Sequence, residues 1–537
     1  MKSSTLKTFT SLHTWAGLGT GMALFIAFYA GALTVFFHEL ESWDSYTGVP
    51  SVTQDLGQAQ QLIDQVLAVD PDAAVNFHLH LGDAHGHGHQ LYWFEGLDDG
   101  TFESHGYELA ENGVLRDVES NAALGEFIYR LHYTAGLPSS WGLYVLGVVC
   151  LIYGLALISG LIIFLPDFLK NLLIIRSTKN LKRFWLDTHN VVGVISLPWH
   201  FMFVWSSVLL AFGVLLLAPF QSLVFQQENL FALLAPELGL VQPPSPTGTP
   251  AALLTVTELV AKAQAQLPGL MVGELSFTHA GDLGSAVQVS GTIEGGTTLA
   301  PNAMVMLSAV TGKSLALNDP ATATLGADLF NGLISLHFAT FGGYPLKWVY
   351  FFLGLAGAFL FYSGNLLWVE TRRKRRQPQQ RRDARFLAKL NSGVCIGCMA
   401  GISTAFLMSR VAVELPNQTE LTELAYFVVF FAAIGWCFVR SVAAGARDLL
   451  YLAAALSAAI PLADAIVVDM PLWRSAATGQ WGLLLVNLLA LIGTAAFWRM
   501  GRAVHQRSQY GDPNSVWAQP KNHPEPDRRQ QVLAEDG

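Results

Sequence analysis

The chain has 537 residues, of which 52% are hydrophobic and only 13% are charged. This charged fraction is about half that of an ordinary soluble domain, which excludes a wholly soluble protein of average composition. The formal net charge of −9 says little about binding partners, because acidic and basic residues are concentrated in different parts of the sequence.

Eight apolar runs are long enough to cross a bilayer, since each approaches the roughly 20 residues that a span requires. They cover residues 12–37, 141–165, 191–217, 346–369, 391–413, 422–443, 449–469 and 481–499. The first run lacks the Ala-x-Ala cleavage site of a secretory signal, so we expect it to be retained. The sequence therefore predicts a polytopic α-helical membrane protein with about eight transmembrane helices.

Basic residues indicate the orientation of these helices. Lysines and arginines cluster before the first run, between the second and third, and after the fourth, sixth and eighth. The positive-inside rule places these loops and both termini in the cytoplasm, and leaves segments 39–140 and 218–345 outside. Each outer segment begins with a helix-like stretch, at residues 56–68 and 253–266, and continues with alternating strand-like runs. We expect two small α+β domains.

The first 370 residues have the pattern of a duplicated unit made of a span, an outer domain and a second span. The predicted division of the chain is a first span (1–38), a first outer domain (39–140), two spans with a basic loop (141–217), a second outer domain (218–345), a fourth span (346–372), a basic linker with four added spans (373–500) and a cytoplasmic tail (501–537).

Four histidines occupy matching places in this duplicated unit. His13 and His189 open the first and third spans, and His132 and His337 precede the second and fourth. Ionisable residues are rare within or beside a membrane and usually mark function, and neutral imidazole is a common axial ligand of haem iron. Two histidines at each membrane face predict two b-type haems. The inner haem is expected between His13 and His189, and the outer haem between His132 and His337.

Two further histidines lie near these positions. His200 follows His189 by 11 residues, close to three helical turns, so we expect the two to share a face about 16 Å apart along the axis. It is then either an alternative ligand or a step between the haems. For His38, which has no counterpart in the second unit, we favour an interfacial polar role.

Other side chains suggest accessory roles. Arg130, two residues before His132, is a candidate partner for a haem propionate. His85, His87 and His89 form a His-Gly-His-Gly-His stretch, which is either an accessory transition-metal site or a polar loop.

Several short motifs carry a family resemblance. They are Leu12-His13-x-Trp15, Leu131-His132, His189-Asn190-x-x-Gly193, Pro198-Trp199-His200 and Leu336-His337-Phe338-x-x-Phe341-Gly342-Gly343. Over residues 8–372 the chain resembles the PepSY-associated transmembrane helix family of bacterial inner-membrane proteins. That family includes haem-containing ferric-siderophore reductases. The resemblance implies periplasmic PepSY-like domains and electron transfer to a periplasmic ferric siderophore or other ferric chelate during iron uptake. Residues 386–500 lie outside it.

Alternatives remain open at this stage. The sequence has no Walker loop and no nucleotide-binding strand–turn–helix unit, so the electron donor is expected to be another protein, a quinol or a cytoplasmic reductant. The lipid membrane is the expected surrounding, and nucleic acid is not an expected partner. Without haem, the protein would be an envelope anchor or regulator, or a metal transporter with a histidine-rich capture loop. Cys395 and Cys398 are interpreted as packing residues rather than a redox pair, and Asp464 as an ion site or a solvated cap.

Overall fold

The structure is a computed structural model. It describes residues 3–46, 55–82, 88–96, 102–110, 113–117, 123–168, 174–176, 181–226, 229–235, 242–294, 299, 302–413, 415 and 417–518.

The elements fall into three stretches of chain. The first contains α1 (Ser3–Thr34), α2 (Phe37–Ser45), α3 (Leu56–Val69), β1 (Asn76–His80), β2 (Gln90–Gly96), β3 (Phe102–Leu109), β4 (Leu115–Asp117), α4 (Ala123–Thr134) and α5 (Ser139–Phe164). The second contains α6 (Leu181–Ile195), α7 (Leu197–Leu223), α8 (Leu230–Leu234), α9 (Val256–Gln266), β5 (Leu270–Thr278), β6 (Ala286–Ile293), β7 (Asn302–Ser308), β8 (Ser314–Asn318), α10 (Leu325–Phe338) and α11 (Gly343–Thr371). The third contains α12 (Arg382–Val411), α13 (Gln418–Val439), α14 (Val442–Val467), α15 (Leu472–Ala477) and α16 (Trp481–Tyr510).

Seven helices of the described residues are long and apolar enough to cross a membrane, namely α1, α5, α11, α12, α13, α14 and α16. Each has at least 22 residues, which exceeds the roughly 20 that the hydrocarbon core requires. The prediction of a helical, multi-pass membrane protein is confirmed at this level.

The predicted third span, residues 191–217, is not one straight helix. Helices α6 and α7 are long and apolar enough to cross a membrane only when they are taken together, and the chain bends by 68° between them. Pro198 lies in the first turn of α7. It has no N–H to bond the carbonyl one turn earlier, and its ring clashes with that carbonyl, so the helix breaks at Ser196. The expectation that His189 and His200 share one helical face was therefore wrong.

The two outer segments join in a single sheet rather than forming separate ones. Its eight strands are ordered β4-β3-β2-β1-β5-β6-β7-β8, and neighbouring strands are antiparallel. The junction is the pairing of β1 with β5, in which Phe77 lies opposite Phe277 and His78 opposite Ser276. Alternation along a strand puts Phe77 and Phe277 on the face where α3 and α9 pack. The other face is mixed, with His78 and Ser276 at the junction and a small apolar cluster around Met304 and Met306. The predicted helices and strands of both segments are present.

Two short amphipathic helices connect the sheet to the spans. Helix α4 serves the first half of the sheet and α10 the second. Each is followed by an alanine in the left-handed region, Ala135 and Ala339, both with φ of 54°. The two halves of the molecule thus stop their connecting helices in the same way, two or three residues after the histidines predicted to be ligands.

The added block, α12 to α16, packs against α1, α2, α4 and α11 in one continuous apolar core. Cys395 and Cys398 are free and fully buried within it. Asp464 is also fully buried and binds the Arg410 side chain, so it is not a solvated cap.

Candidate functional site

The structure brings each predicted histidine pair together. We call the end of the helices nearest the sheet the sheet end, and the opposite end, which carries Lys182 and Arg183, the basic end. At the basic end the ring centroids of His13 and His189 are 6.1 Å apart, with an interplanar angle of 75°. At the sheet end the centroids of His132 and His337 are 6.0 Å apart, at 45°. We name these the basic-end pair and the sheet-end pair.

The hydrogen bonds of the basic-end pair define the protonation of its rings. The Nδ1–H of His13 donates to the Ala156 carbonyl at 2.8 Å. The His189 ring is also bonded to a carbonyl, that of Leu360, and its Nδ1 lies 3.5 Å from the Ser363 hydroxyl, which itself donates to Leu360. A carbonyl only accepts, so Nδ1 carries the proton and Nε2 keeps a lone pair. This is the arrangement that metal-binding histidines usually adopt.

The sheet-end pair follows the same rule with one variation. His132 donates from Nδ1 to the Ala27 carbonyl at 2.8 Å. His337 contacts the Ser206 hydroxyl through Nδ1 at 2.7 Å, and that hydroxyl donates to the Met202 carbonyl. The hydroxyl hydrogen is therefore used, so His337 is the donor and its Nε2 is also free of a proton.

A small residue lies four positions after each accepting carbonyl. These residues are Gly160, Gly364, Gly31 and Ser206, which follow Ala156, Leu360, Ala27 and Met202. A Cβ added to Gly160 would lie 2.8 Å from Cε1 of His13, and one added to Gly31 would lie 2.6 Å from Nδ1 of His132. At Gly364 the distance to His189 would be 3.3 Å. The rings reach the helix backbone because these positions have little or no side chain.

The sequence analysis missed these four small residues, although a signal was present. Gly31 and Ser206 follow the first histidine of each unit by 18 and 17 positions, and Gly160 and Gly364 follow the second by 28 and 27. Aligning the two units would have placed them opposite each other.

The spacing of the two pairs fits coordination of one metal ion by each. Metal–nitrogen bonds of about 2.0–2.1 Å on both sides of an ion place two imidazole centroids about 6 Å apart. Two protein ligands leave four positions of an octahedral iron unfilled, which is the number that a porphyrin supplies. The sheet-end pair also lines a largely apolar cavity of about 420 Å³, together with Phe28, Tyr153 and Phe203. The sheet-end pair therefore combines the ligand spacing and the apolar cavity that a haem requires.

His200 lies between the two pairs. Its side chain is 1% exposed, Nδ1 is bonded to the Tyr153 hydroxyl, and Nε2 has no partner among the described residues. The His200 ring is 5.6 Å from Phe28, which lies 5.8 Å from Phe203, and Phe203 lies 5.8 Å from His337. A chain of aromatic rings thus joins His200 to the sheet-end pair.

The remaining predicted residues are placed differently. Arg130 forms an ion pair with Glu423 of α13, so its guanidinium is already bound to a carboxylate. The basic side chains that line the sheet-end cavity are instead His38 and Lys347. Lys347 is bonded to Glu39 at 2.9 Å.

The histidine-rich stretch is only partly described, since His85 and His87 lie outside the described residues. His89 is buried, accepts at Nδ1 from the Gly82 N–H and donates from Nε2 to the Asp55 carbonyl, both at 3.0 Å. Both of its nitrogens are used. Within the described ranges, no three His, Cys, Asp or Glu side chains are grouped to hold a metal ion.

Comparison with known proteins agrees with this architecture. An uncharacterized protein from Pseudomonas aeruginosa is 28% identical over 247 residues, which is 44% of this chain. The aligned region spans 60% of the length of that relative. The family model described as the PepSY-associated TM region matches residues 10–371, which include the four paired histidines, the sheet and the spans around them. The chain therefore belongs to the PepSY-associated TM region family.

Proposed function

We propose that the protein binds two b-type haems and transfers electrons across the bacterial inner membrane to a ferric siderophore or other ferric chelate in the periplasm. The observation that carries this proposal is the presence of two histidine pairs at opposite ends of one helix bundle, with ring centroids 6.1 and 6.0 Å apart. On this proposal the protein is a haem-dependent ferric-chelate reductase.

The chain's own residues would hold and orient the cofactor. His13 and His189 would supply the axial nitrogens of one haem, and His132 and His337 those of the other. The hydrogen bonds at Nδ1 keep each ring in one tautomer and one orientation. When bound, haem supplies an iron that is reduced and oxidised by one electron at a potential set by its axial ligands and burial.

The residues between the pairs provide an aromatic path. Phe28 contacts Tyr153, Phe203 and Phe361, with ring centroids 5.1 to 6.2 Å apart. The hydrocarbon core is about 30 Å thick, so sites near its two faces divide the crossing into shorter steps.

The distribution of basic residues supports one orientation in the membrane. By the positive-inside rule the basic end would lie in the cytoplasm and the sheet in the periplasm. The sheet-end pair would then be nearest to a periplasmic chelate. Reduction of the chelated iron to the ferrous state would weaken its bonds to oxygen ligands that prefer ferric iron.

The test uses purified protein in vesicles of determined orientation. We expect a reduced visible spectrum with b-type α-bands, and reduction of a membrane-impermeant ferric chelate only on the side that carries the sheet. The His132→Ala, His337→Ala double variant should lose transfer to the chelate, while the remaining haem is still reduced by dithionite. A colourless wild-type protein, or wild-type transfer rates in the double variant, would contradict the proposal.

A further inference from the structure

A second cavity lies along the seam between the histidine-bearing helices and the added block. It has a volume of about 700 Å³ and an almost wholly apolar lining from α1, α11, α12, α14 and α16. We call it the seam groove. Its volume is within the range of about 300–1,000 Å³ typical of small-molecule sites.

The seam groove is as long as the membrane is thick. Its lining begins near Glu39 and Trp348 at the sheet end and reaches Arg507 and Trp517 at the basic end. On α16 alone the lining residues run from Leu485 to Arg507, which is about 33 Å at 1.5 Å per residue. The hydrocarbon core is about 30 Å thick, so a lipid acyl chain would fill about half of the groove. A longer, uncharged chain matches it better.

A few polar groups interrupt the apolar lining. Trp185 lines the groove, and its indole N–H is buried without an acceptor among the described residues. Farther along, the Ser403 and Ser457 hydroxyls are bonded to each other at 3.0 Å. A buried donor without an acceptor is unfavourable, so a ligand that brings a carbonyl or hydroxyl oxygen would be stabilised beside Trp185.

Trp185 also connects the groove to the basic-end pair. It lies four positions before His189 on α6, and residues at this spacing share one face of a helix. A ring held beside Trp185 would thus lie about one helical turn, roughly 6 Å of rise, from His189 of the basic-end pair.

We infer that the seam groove binds an isoprenoid quinol and that this quinol is the electron donor. This inference rests on the proposed function. The tail would lie along the groove and the ring beside Trp185. Oxidation of one quinol to the quinone breaks two O–H bonds. The two electrons would go to two one-electron acceptors, the haems that the two histidine pairs would hold, and the two protons would leave to water at the basic end.

The binding test uses the full-length protein immobilised in detergent, with decylubiquinone as the probe. Bound quinone is extracted and quantified by chromatography, a measurement that does not depend on haem. We expect saturable binding of one quinone per chain. Ala490→Phe, which fills the groove, should lower the affinity at least tenfold. Ala495→Phe, the same change on the exposed side of α16, should leave it unchanged.

Trp185→Phe serves as a second variant that keeps the aromatic ring and removes the donor. It should weaken binding about fivefold, as expected for the loss of one hydrogen bond. Decylubiquinol added without oxygen should reduce the haem of the wild type and should reduce that of Ala490→Phe at least tenfold more slowly, with dithionite reduction unchanged.

The outcomes separate the two proposals. Quinone binding by a protein without haem would refute the proposed function and leave the groove assignment standing. Haem with no saturable quinone binding, or equal affinities in the two phenylalanine variants, would overturn the groove assignment. It would also be overturned if Ala490→Phe displaced a tightly bound phospholipid while quinone binding stayed the same.

Discussion

The histidine-bearing helices and the added block both bury polar side chains among apolar helices, but they use them differently. In the added block the charged groups bind each other. Arg410 and Asp464 are both 0% exposed and bonded at 2.6 Å, and the second Asp464 oxygen accepts from Trp43 and Asn487. Among the histidine-bearing helices, each paired imidazole uses one nitrogen and keeps the other available. Buried charges that bind each other indicate structure, and a free ligand nitrogen on each paired histidine indicates a binding site.

The buried pair of Arg410 and Asp464 also indicates what the added block does. The Arg410 guanidinium reaches the backbone carbonyls of Trp43 and Tyr46 and lies 4.2 Å from the Trp43 ring. These residues lie in or directly after α2, at the sheet end of the histidine-bearing helices. The block therefore holds α2 in place and forms one wall of the seam groove.

The largest predicted effect is on stability. Arg410→Met leaves the buried Asp464 carboxylate unpaired and should lower the free energy of unfolding by about 3–5 kcal/mol. Adding Asp464→Asn removes that charge and should restore part of the loss. Thermal unfolding in detergent measures both. Arg474→Met, which breaks the exposed pair with Asp469, is the control and should cost at most about 1 kcal/mol. Equal losses in Arg410→Met and Arg474→Met would remove the distinction between the two regions.

A smaller effect is expected where a side chain crowds a histidine. Gly160→Ala places a methyl group 2.8 Å from His13, which should cost about 1–3 kcal/mol in haem binding at the basic-end pair. Gly17→Ala on α1 is the matched control, since nothing lies within 4 Å of its new methyl group. Haem per chain is measured from the absorbance of the reduced pyridine complex. If both variants retain full haem, the close approach of the ring to the helix is not required.

The Ser206 hydroxyl provides a finer test of the same idea. Ser206→Ala removes the group that His337 contacts, and a change of this kind around a metal ligand lowers metal affinity about 10–100-fold. Ser206→Gly recreates the arrangement of the other three sites, in which a glycine occupies this position. His337 should then bond the Met202 carbonyl directly, so the haem affinity should fall less than in Ser206→Ala. The measurement is release of the sheet-end haem to apomyoglobin. Faster release from the glycine variant than from the alanine variant would contradict this account.

The smallest effect is expected in the sheet, where charges are paired as in the added block but remain partly exposed. Burial alone would raise the pKa of Glu274, but hydrogen bonds from His78 and Ser276 outweigh it and lower the pKa to about 2. The ionised Glu274 therefore stabilises the folded state fully above pH 4.5, and this stabilisation is lost as the pH falls from 4.5 toward 2. Glu274→Gln should lower the melting temperature at pH 7. The melting temperature of this variant should also fall less between pH 5 and pH 3 than that of the wild type. An unchanged acid profile would show that this junction of β1 and β5 does not depend on the charge.

Much of this architecture was predictable, for identifiable reasons. Span length and the repeated His13 and His189 positions depend on local composition and on duplication, which are visible in one sequence. The break at Ser196 was also predictable, because Pro198 cannot continue the helix. The pairing of β1 with β5 was not predictable, because the sequence of a strand does not specify which other strand edge it will pair with. Arg410 and Asp464 are 54 residues apart, and nothing local relates them.

The central claim is that each histidine pair holds its own haem. The most direct measurement is haem per chain in the wild type, the His13→Ala, His189→Ala variant and the His132→Ala, His337→Ala variant, all purified in the same detergent. We expect two haems in the wild type and one in each double variant, with different reduction potentials for the two that remain. A wild-type protein without haem, or the loss of all haem in either double variant, would contradict the assignment.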